Sequence, residues 1–127
     1  MTLPAERSPQ IANPFVSLAA RIVELRERVE DAAWIPASEQ THQSATQFVV
    51  DAFEILAQFR ESAVQQSDLQ RAESVATREL TAAKRHLELA KRSPETRSAA
   101  CDLAVRALTR AVDSLLNALV PHTIPPG

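Results

Sequence analysis

Apolar residues recur along most of this chain at the spacing of an amphipathic helix. Over residues 15–32 they alternate in steps of three and four, the pattern of a narrow coiled-coil seam. Asn13 can cap the exposed backbone N–H groups that follow it, and Pro14 suits a first helical position. Pro36 disfavours helical backbone in the residue before it. The pattern therefore predicts a first helix over about residues 14–33.

A second, wider apolar stripe covers residues 45–63 and contains three of the four phenylalanines. Polar residues then interrupt it, and the segment 67–70 (Ser-Asp-Leu-Gln) has the pattern of a capping box that opens a new helix. The seven-residue phase nevertheless continues, so a single helix over 37–92 is the alternative. At 1.5 Å per residue it would be about 84 Å long and would need a partner along its length. Ordinary helix lengths favour two helices, over 37–65 and 68–92.

The last apolar stretch has clear boundaries in the sequence. Ser93 can cap it, Pro94 suits its first position and Pro121 is expected to end it, which predicts a helix over 94–120. Its residues are apolar around most of the helix circumference. Such a helix must be covered on most sides, either at the centre of a bundle or in an oligomer interface.

These elements predict an all-α fold, a four-helix antiparallel bundle over residues 14–120. A disordered leader at 1–13 and a flexible proline-rich tail at 121–127 are expected to flank it. The alternative is a three-helix chain with one long central helix, 37–92, assembled as a dimer or higher oligomer. Gly127 is the only glycine, so glycine-dependent phosphate loops and nucleophile elbows are not expected.

The charge balance bears on binding to nucleic acid. A formal net charge of −2 disfavours a general nucleic-acid binder. Basic residues nevertheless concentrate at the end of the third predicted helix and the start of the fourth, without aromatic residues between them for base stacking. This cluster makes nucleic-acid binding one alternative function. It consists of Lys84, Arg85, Lys91, Arg92 and Arg97.

Two histidines lie in patterns that have known chemistry. His86 stands within the basic cluster, and cations near a helical histidine favour a phosphoryl group electrostatically, as in histidine phosphotransfer domains. The glycine that typically follows the histidine in that family is absent, and phosphotransfer through His86 is the second alternative function. Glu39 and His42 have the Glu-x-x-His spacing of di-iron helices, but a second such motif is missing. No metal or cofactor is therefore predicted.

The remaining composition points to a cytoplasmic protein. Cys101 is the only cysteine, which excludes an intramolecular disulfide and fits a reducing compartment. No window of 18 consecutive apolar residues is present, so no membrane contact is predicted.

The function expected from these features is non-enzymatic. The sequence lacks catalytic motifs, and no small-molecule ligand is predicted. The nearly all-round apolar last helix favours a protein-interaction or assembly module that binds itself or another protein. The residues expected to form the contact are Trp34, Leu103, Val105, Leu108, Val112 and Leu116.

Overall fold

The chain folds as an antiparallel four-helix bundle in a computed structural model, which describes residues 13–32, 39–63 and 66–123. No strand occurs among these residues, so the predicted all-α class and architecture are confirmed. The helices are α1 (Pro14–Asp31), α2 (Glu39–Ser62), α3 (Ser67–Arg92) and α4 (Arg97–Thr123), with a 3₁₀ turn at Pro94–Thr96 between α3 and α4. None of the described helices has the length and apolarity that a membrane crossing requires.

The boundary between α2 and α3 excludes the single long helix over 37–92. The α2 helix ends at Ser62, and Gln66 is the extended residue that precedes α3. The predicted capping box is wrong, because Ser67 is already helical and the side chain of Gln66 makes no capping hydrogen bond. The backbone N–H of Gln70 instead donates to the carbonyl of Gln66 at 2.9 Å, which begins the helical ladder.

The predictions for the other helix ends are confirmed only in part. The Asn13 cap is confirmed, since its Oδ1 accepts from the Phe15 backbone N–H at 2.9 Å. The predicted end of the last helix at Pro121 is wrong, because α4 continues to Thr123. The carbonyl of His122 accepts a hydrogen bond from the Asn13 amide at 3.0 Å, which holds this last turn. The predicted leader up to residue 12 and the tail from residue 124 lie outside the described residues.

Small side chains bring α3 and α4 together over the most extensive helix contact of the fold. Because alanine projects so little, helices that meet through alanine can approach closely. The buried alanines of this seam are Ala72, Ala76, Ala83 and Ala90 on α3, and Ala100, Ala104, Ala107 and Ala111 on α4.

Larger side chains fill the other half of the bundle. The α2 helix buries Phe48, Ile55, Leu56 and Phe59, and α1 packs on α2 and α4 without touching α3 in the described residues. Bulky side chains hold helices further apart than alanine does. The contact between α2 and α3 is accordingly much less extensive than that between α3 and α4, and it leaves a cleft on the outside of the bundle.

Candidate interaction surface on α2 and α3

The cleft between α2 and α3 has a volume of about 580 Å³ and an apolar floor. Val50 lies in the middle of α2 with 45% of its surface exposed, although valine gains nothing from contact with water. Phe53 beside it is half-buried. The floor is formed by Val49, Val50, Phe53, Ala57 and Leu87.

Polar contacts between α2 and α3 lie on either side of the cleft along the helices. Toward the start of α2, the His42 ring Nε2 lies 2.8 Å from the Leu87 carbonyl oxygen. Toward its end, Arg60 forms an ion pair with Glu73 at 2.9 Å, and the Thr77 hydroxyl donates to the same carboxylate. The Arg60 hydrogen bond lowers the pKa of Glu73 from its usual value, and Thr77 adds to this effect. These contacts fix the two helices on either side of the apolar floor.

A regular row of arginines runs along the exposed side of α3. We call Arg71, Arg78, Arg85 and Arg92 the arginine row. Residues seven apart lie on the same strip of a helix, so these side chains repeat every 10.5 Å or so over about 32 Å. All four are exposed, and none forms an ion pair with any residue that the structure describes.

The acids of α3 do little to neutralise the arginine row. Asp68 pairs with His122 at 2.8 Å, and Glu79 pairs with Arg110 at 3.0 Å. The hydrogen bond from His122 lowers the pKa of Asp68. Since Glu73 is also paired, Glu88 is the one acid of α3 without an ion pair among the described residues.

The exposed side of α2 carries the opposite charge. We call Glu39, Glu54 and Glu61 the acidic row. Glu54 and Glu61 are seven residues apart, and Glu39 lies about four helical turns earlier. All three are exposed and form no ion pair with the described part of the chain. An acidic row and an arginine row therefore lie on the exposed sides of the two helices that form the cleft, and Glu54 of the acidic row also lines the cleft.

The residues predicted to contact a partner through α4 are separated by the fold. Leu108 and Val112 are buried, so the core of a single chain accommodates them. Val105 and Leu116 are half-buried against that core, and only Leu103 is largely exposed, at 47%. The expectation that the core of one bundle cannot bury all of these side chains is thus incorrect for Leu108 and Val112. Trp34, the sixth predicted residue, lies outside the described residues.

The predicted basic cluster is partly brought together. Lys84, Arg85, Lys91 and Arg92 are all exposed on α3, and Lys84 and Lys91 line the cleft. Arg97 differs from them: it is half-buried, and its Nε donates to the Ala90 carbonyl at 3.4 Å. Arg71 and Arg78 were not predicted as members of this cluster, although the successive spacing of seven from Arg71 to Arg78 and Arg85 is visible in the sequence.

The other residues considered for chemistry, His86 and Cys101, do not line the cleft. His86 is half-buried, one heptad after Glu79 and on the side of α3 where Glu79 meets α4. A phosphoryl acceptor there stays a prediction. Burial raises the pKa of the Cys101 thiol, which disfavours the reactive thiolate. Within the described ranges, no three His, Cys, Asp or Glu side chains are grouped to hold a metal ion.

A second apolar patch lies on α1 and the end of α4. Val16 and Val23 are seven residues apart on α1, and Val120 lies near the hydrogen bond of Asn13 with His122. All three valines are exposed, Val23 at 39%. None of the three valines lines the cleft, so they offer matched control positions.

Comparison of the chain with protein-family models, with curated proteins and with solved structures found no match. Function is therefore inferred from the geometry and charge of the surface that α2 and α3 form.

Proposed function

We propose that this chain is a non-enzymatic helical-bundle module that self-associates through the surface formed by α2 and α3. The observation that carries the proposal is the apolar cleft, with Val50 exposed at the middle of a helix. Apolar surface at the centre of a patch and charges around it are the usual anatomy of a protein interface. The cleft has this arrangement, because Glu54, Lys84, Glu88 and Lys91 line it around the apolar floor.

The proposal extends to the cellular compartment. The single cysteine is buried and forms no disulfide within the chain, which suits a reducing environment. We therefore place the protein in the cytoplasm. It acts there without a cofactor, a metal or a small-molecule ligand, as an assembly component.

The test of self-association is light scattering coupled to size-exclusion chromatography over a series of protein concentrations. The expected result is a molar mass that rises toward twice the 13.9 kDa of the chain. A molar mass that stays at that of one chain into the millimolar range would contradict the proposal.

The arginine row favours a second candidate function, which is binding to nucleic-acid phosphates. Its four exposed arginines form no ion pair with any of the described residues. Such a row releases counterions from a nucleic acid, so the affinity should fall steeply with salt. Fluorescence anisotropy with a labelled RNA or DNA duplex would measure it.

A pair of variants separates this candidate from non-specific attraction. Arg78→Gln with Arg85→Gln should reduce the slope of log affinity against log salt by about one unit for each phosphate that an arginine no longer neutralises. Arg106→Gln on α4 is the matched control, because Arg106 is also exposed but pairs with Asp102. Equal affinities of the two variants would rule out recognition by the arginine row.

A further inference from the structure

The two charged rows are in register along the bundle. Within the chain, His42 lies beside Leu87 and Arg60 beside Glu73, which fixes the antiparallel alignment of α2 on α3. From these two contacts, each member of the acidic row is level with one arginine to within about two residues, or about 3 Å along the axis. The level pairs are Glu39 with Arg92, Glu54 with Arg78, and Glu61 with Arg71.

These level pairs do not meet inside one chain. Both rows are exposed and lack ion pairs among the described residues, and the cleft lies between the helices that carry them. In a second copy, α3 carries arginines level with the acidic row of α2, and α2 carries acids level with the arginine row of α3.

Symmetry limits how two copies can bring these faces together. A two-fold axis parallel to the helices lays α2 of each copy on α3 of the other and keeps every residue at its own height. An axis across the helices would instead lay α2 on α2 and α3 on α3, so that like charges face each other. We propose that the chain forms a two-fold dimer with the parallel axis, in which the acidic row of each copy pairs with the arginine row of the other. This inference rests on the proposed self-association.

The apolar cleft fits the centre of this dimer. The axis passes over the cleft, so Val50 of each protomer lies against α3 of its partner, with the charged pairs outside it. The 24-residue α2 helix is about 36 Å long, and two helices side by side are about 20 Å wide. The face therefore offers about 700 Å² per protomer, close to the roughly 800 Å² of a standard interface.

A mixing experiment with two charge-reversal variants tests the pairing. Glu54→Arg leaves arginine at both positions 54 and 78, and Arg78→Glu leaves glutamate at both. Each variant alone should dissociate at least about tenfold more readily than the wild type, because both symmetric pairs become repulsive. An equimolar mixture should form a heterodimer about as stable as the wild-type dimer, because both of its charge pairs are attractive. One pair is the native Glu54 with Arg78, and the other is the introduced arginine at position 54 with the introduced glutamate at position 78.

The outcomes separate the inference from the proposed function. If the wild type dimerises while the mixture remains monomeric, the proposed charge pairing is wrong but self-association is still supported. The same holds if either variant alone dimerises as tightly as the wild type. A monomeric wild type would overturn both. Glu27→Arg mixed with Arg106→Glu is the control on α1 and α4, where no variant should change the dissociation constant. Circular dichroism would verify that each variant is folded.

A cysteine scan tests the position of the axis independently. A mixture of Val50→Cys and Thr81→Cys should form a disulfide-linked heterodimer under mild oxidation, because residue 50 on α2 is level with the exposed residue 81 on α3 of the partner, and a reductant should reverse it. Val23→Cys in place of Val50→Cys, at a similarly exposed valine on α1, should crosslink to Thr81→Cys much more slowly. The wild type reports the background from the buried Cys101. Crosslinking at position 23 as fast as at position 50 would overturn the proposed face.

Discussion

Asn13 stabilises two helices at opposite ends of the described sequence. Its Oδ1 caps α1 through the Phe15 backbone N–H at 2.9 Å, while its amide donates to the His122 carbonyl at 3.0 Å. The His122 ring also pairs with Asp68 and packs against Phe15, with ring centroids 5.3 Å apart. One short polar side chain therefore joins the start of α1 to the end of α4, beside the start of α3.

Two substitutions at Asn13 should separate these roles. Asn13→Ala removes both the cap and the amide donor, and we expect it to lower the free energy of unfolding by about 1–2 kcal/mol. Asn13→Ser keeps a capping oxygen but is too short to donate to the His122 carbonyl, so it should lower that free energy by only about 0.5–1 kcal/mol. Urea denaturation would measure both. Equal decreases would mean that the cap contributes nothing.

The ion pair of Glu73 with Arg60 should make stability depend on pH in the acid range. The Arg60 hydrogen bond holds the folded pKa of Glu73 below its usual value of 4.5. The contribution of the carboxylate is therefore complete above pH 4.5 and is lost as the pH falls through the lower, folded value. At pH 7 we expect Glu73→Gln to be less stable than the wild type by about 0.5 kcal/mol, since Arg60 is largely exposed.

Urea denaturation at several pH values between 7 and 2 would follow this difference. The wild type and Glu73→Gln should converge at the acid end, where Glu73 is protonated in both the folded and unfolded states. Glu27→Gln is the control, because Glu27 is exposed on α1 and forms no ion pair with the described residues. A difference for Glu73→Gln that persists unchanged to pH 2 would show that its cause is not the ion pair.

At the scale of the elements, the alanine seam between α3 and α4 should tolerate little extra volume. Ala104 is fully buried in it, whereas Ala99, on the same helix, is exposed. We expect Ala104→Leu to cost about 1–3 kcal/mol, because overpacking forces the two helices apart. Ala99→Leu should change stability by less than about 0.5 kcal/mol. Thermal and urea unfolding would measure the contrast, and similar destabilisation at both positions would refute a tightly packed seam.

Sequence periodicity predicted the helices better than their ends. The apolar spacing and the Asn13 cap are local signals, and both are confirmed. The end of α4 could not be predicted locally, because the contacts that hold His122 come from Asn13 and Asp68, distant in sequence. The break before Ser67 was placed closely, yet the capping side chain assigned to it makes no such contact.

The candidate surface was only partly accessible from the sequence. Arg85 and Arg92 were singled out because they belong to a local cluster, while Arg71 and Arg78 stand alone in the sequence. Their membership in one row depends on the helix period and on which nearby acids pair elsewhere. The cleft itself depends on the unequal packing of α3 against α2 and α4, which is a tertiary property.

At the scale of the whole molecule, the small net charge conceals a strong separation of charge. The formal charge is −2, yet the unpaired acids of α2 and the unpaired arginines of α3 lie on neighbouring helices. A neutral surface with evenly mixed charges would give no preferred orientation to a second copy. Separated rows do, because only one of the two symmetric arrangements brings opposite charges together.

The salt dependence of assembly should reveal whether these rows contribute to it. Raising the ionic strength from 0.1 M to 1 M shortens the Debye length from about 10 Å to about 3 Å, which screens exposed ion pairs. We expect the dimer dissociation constant, measured by sedimentation equilibrium, to rise about fivefold to tenfold over this range. Glu54→Gln should flatten the dependence, because each dimer then has two fewer charged pairs. A dimer held instead by the valines of α1 would keep or increase its stability in salt, since apolar contacts are not screened.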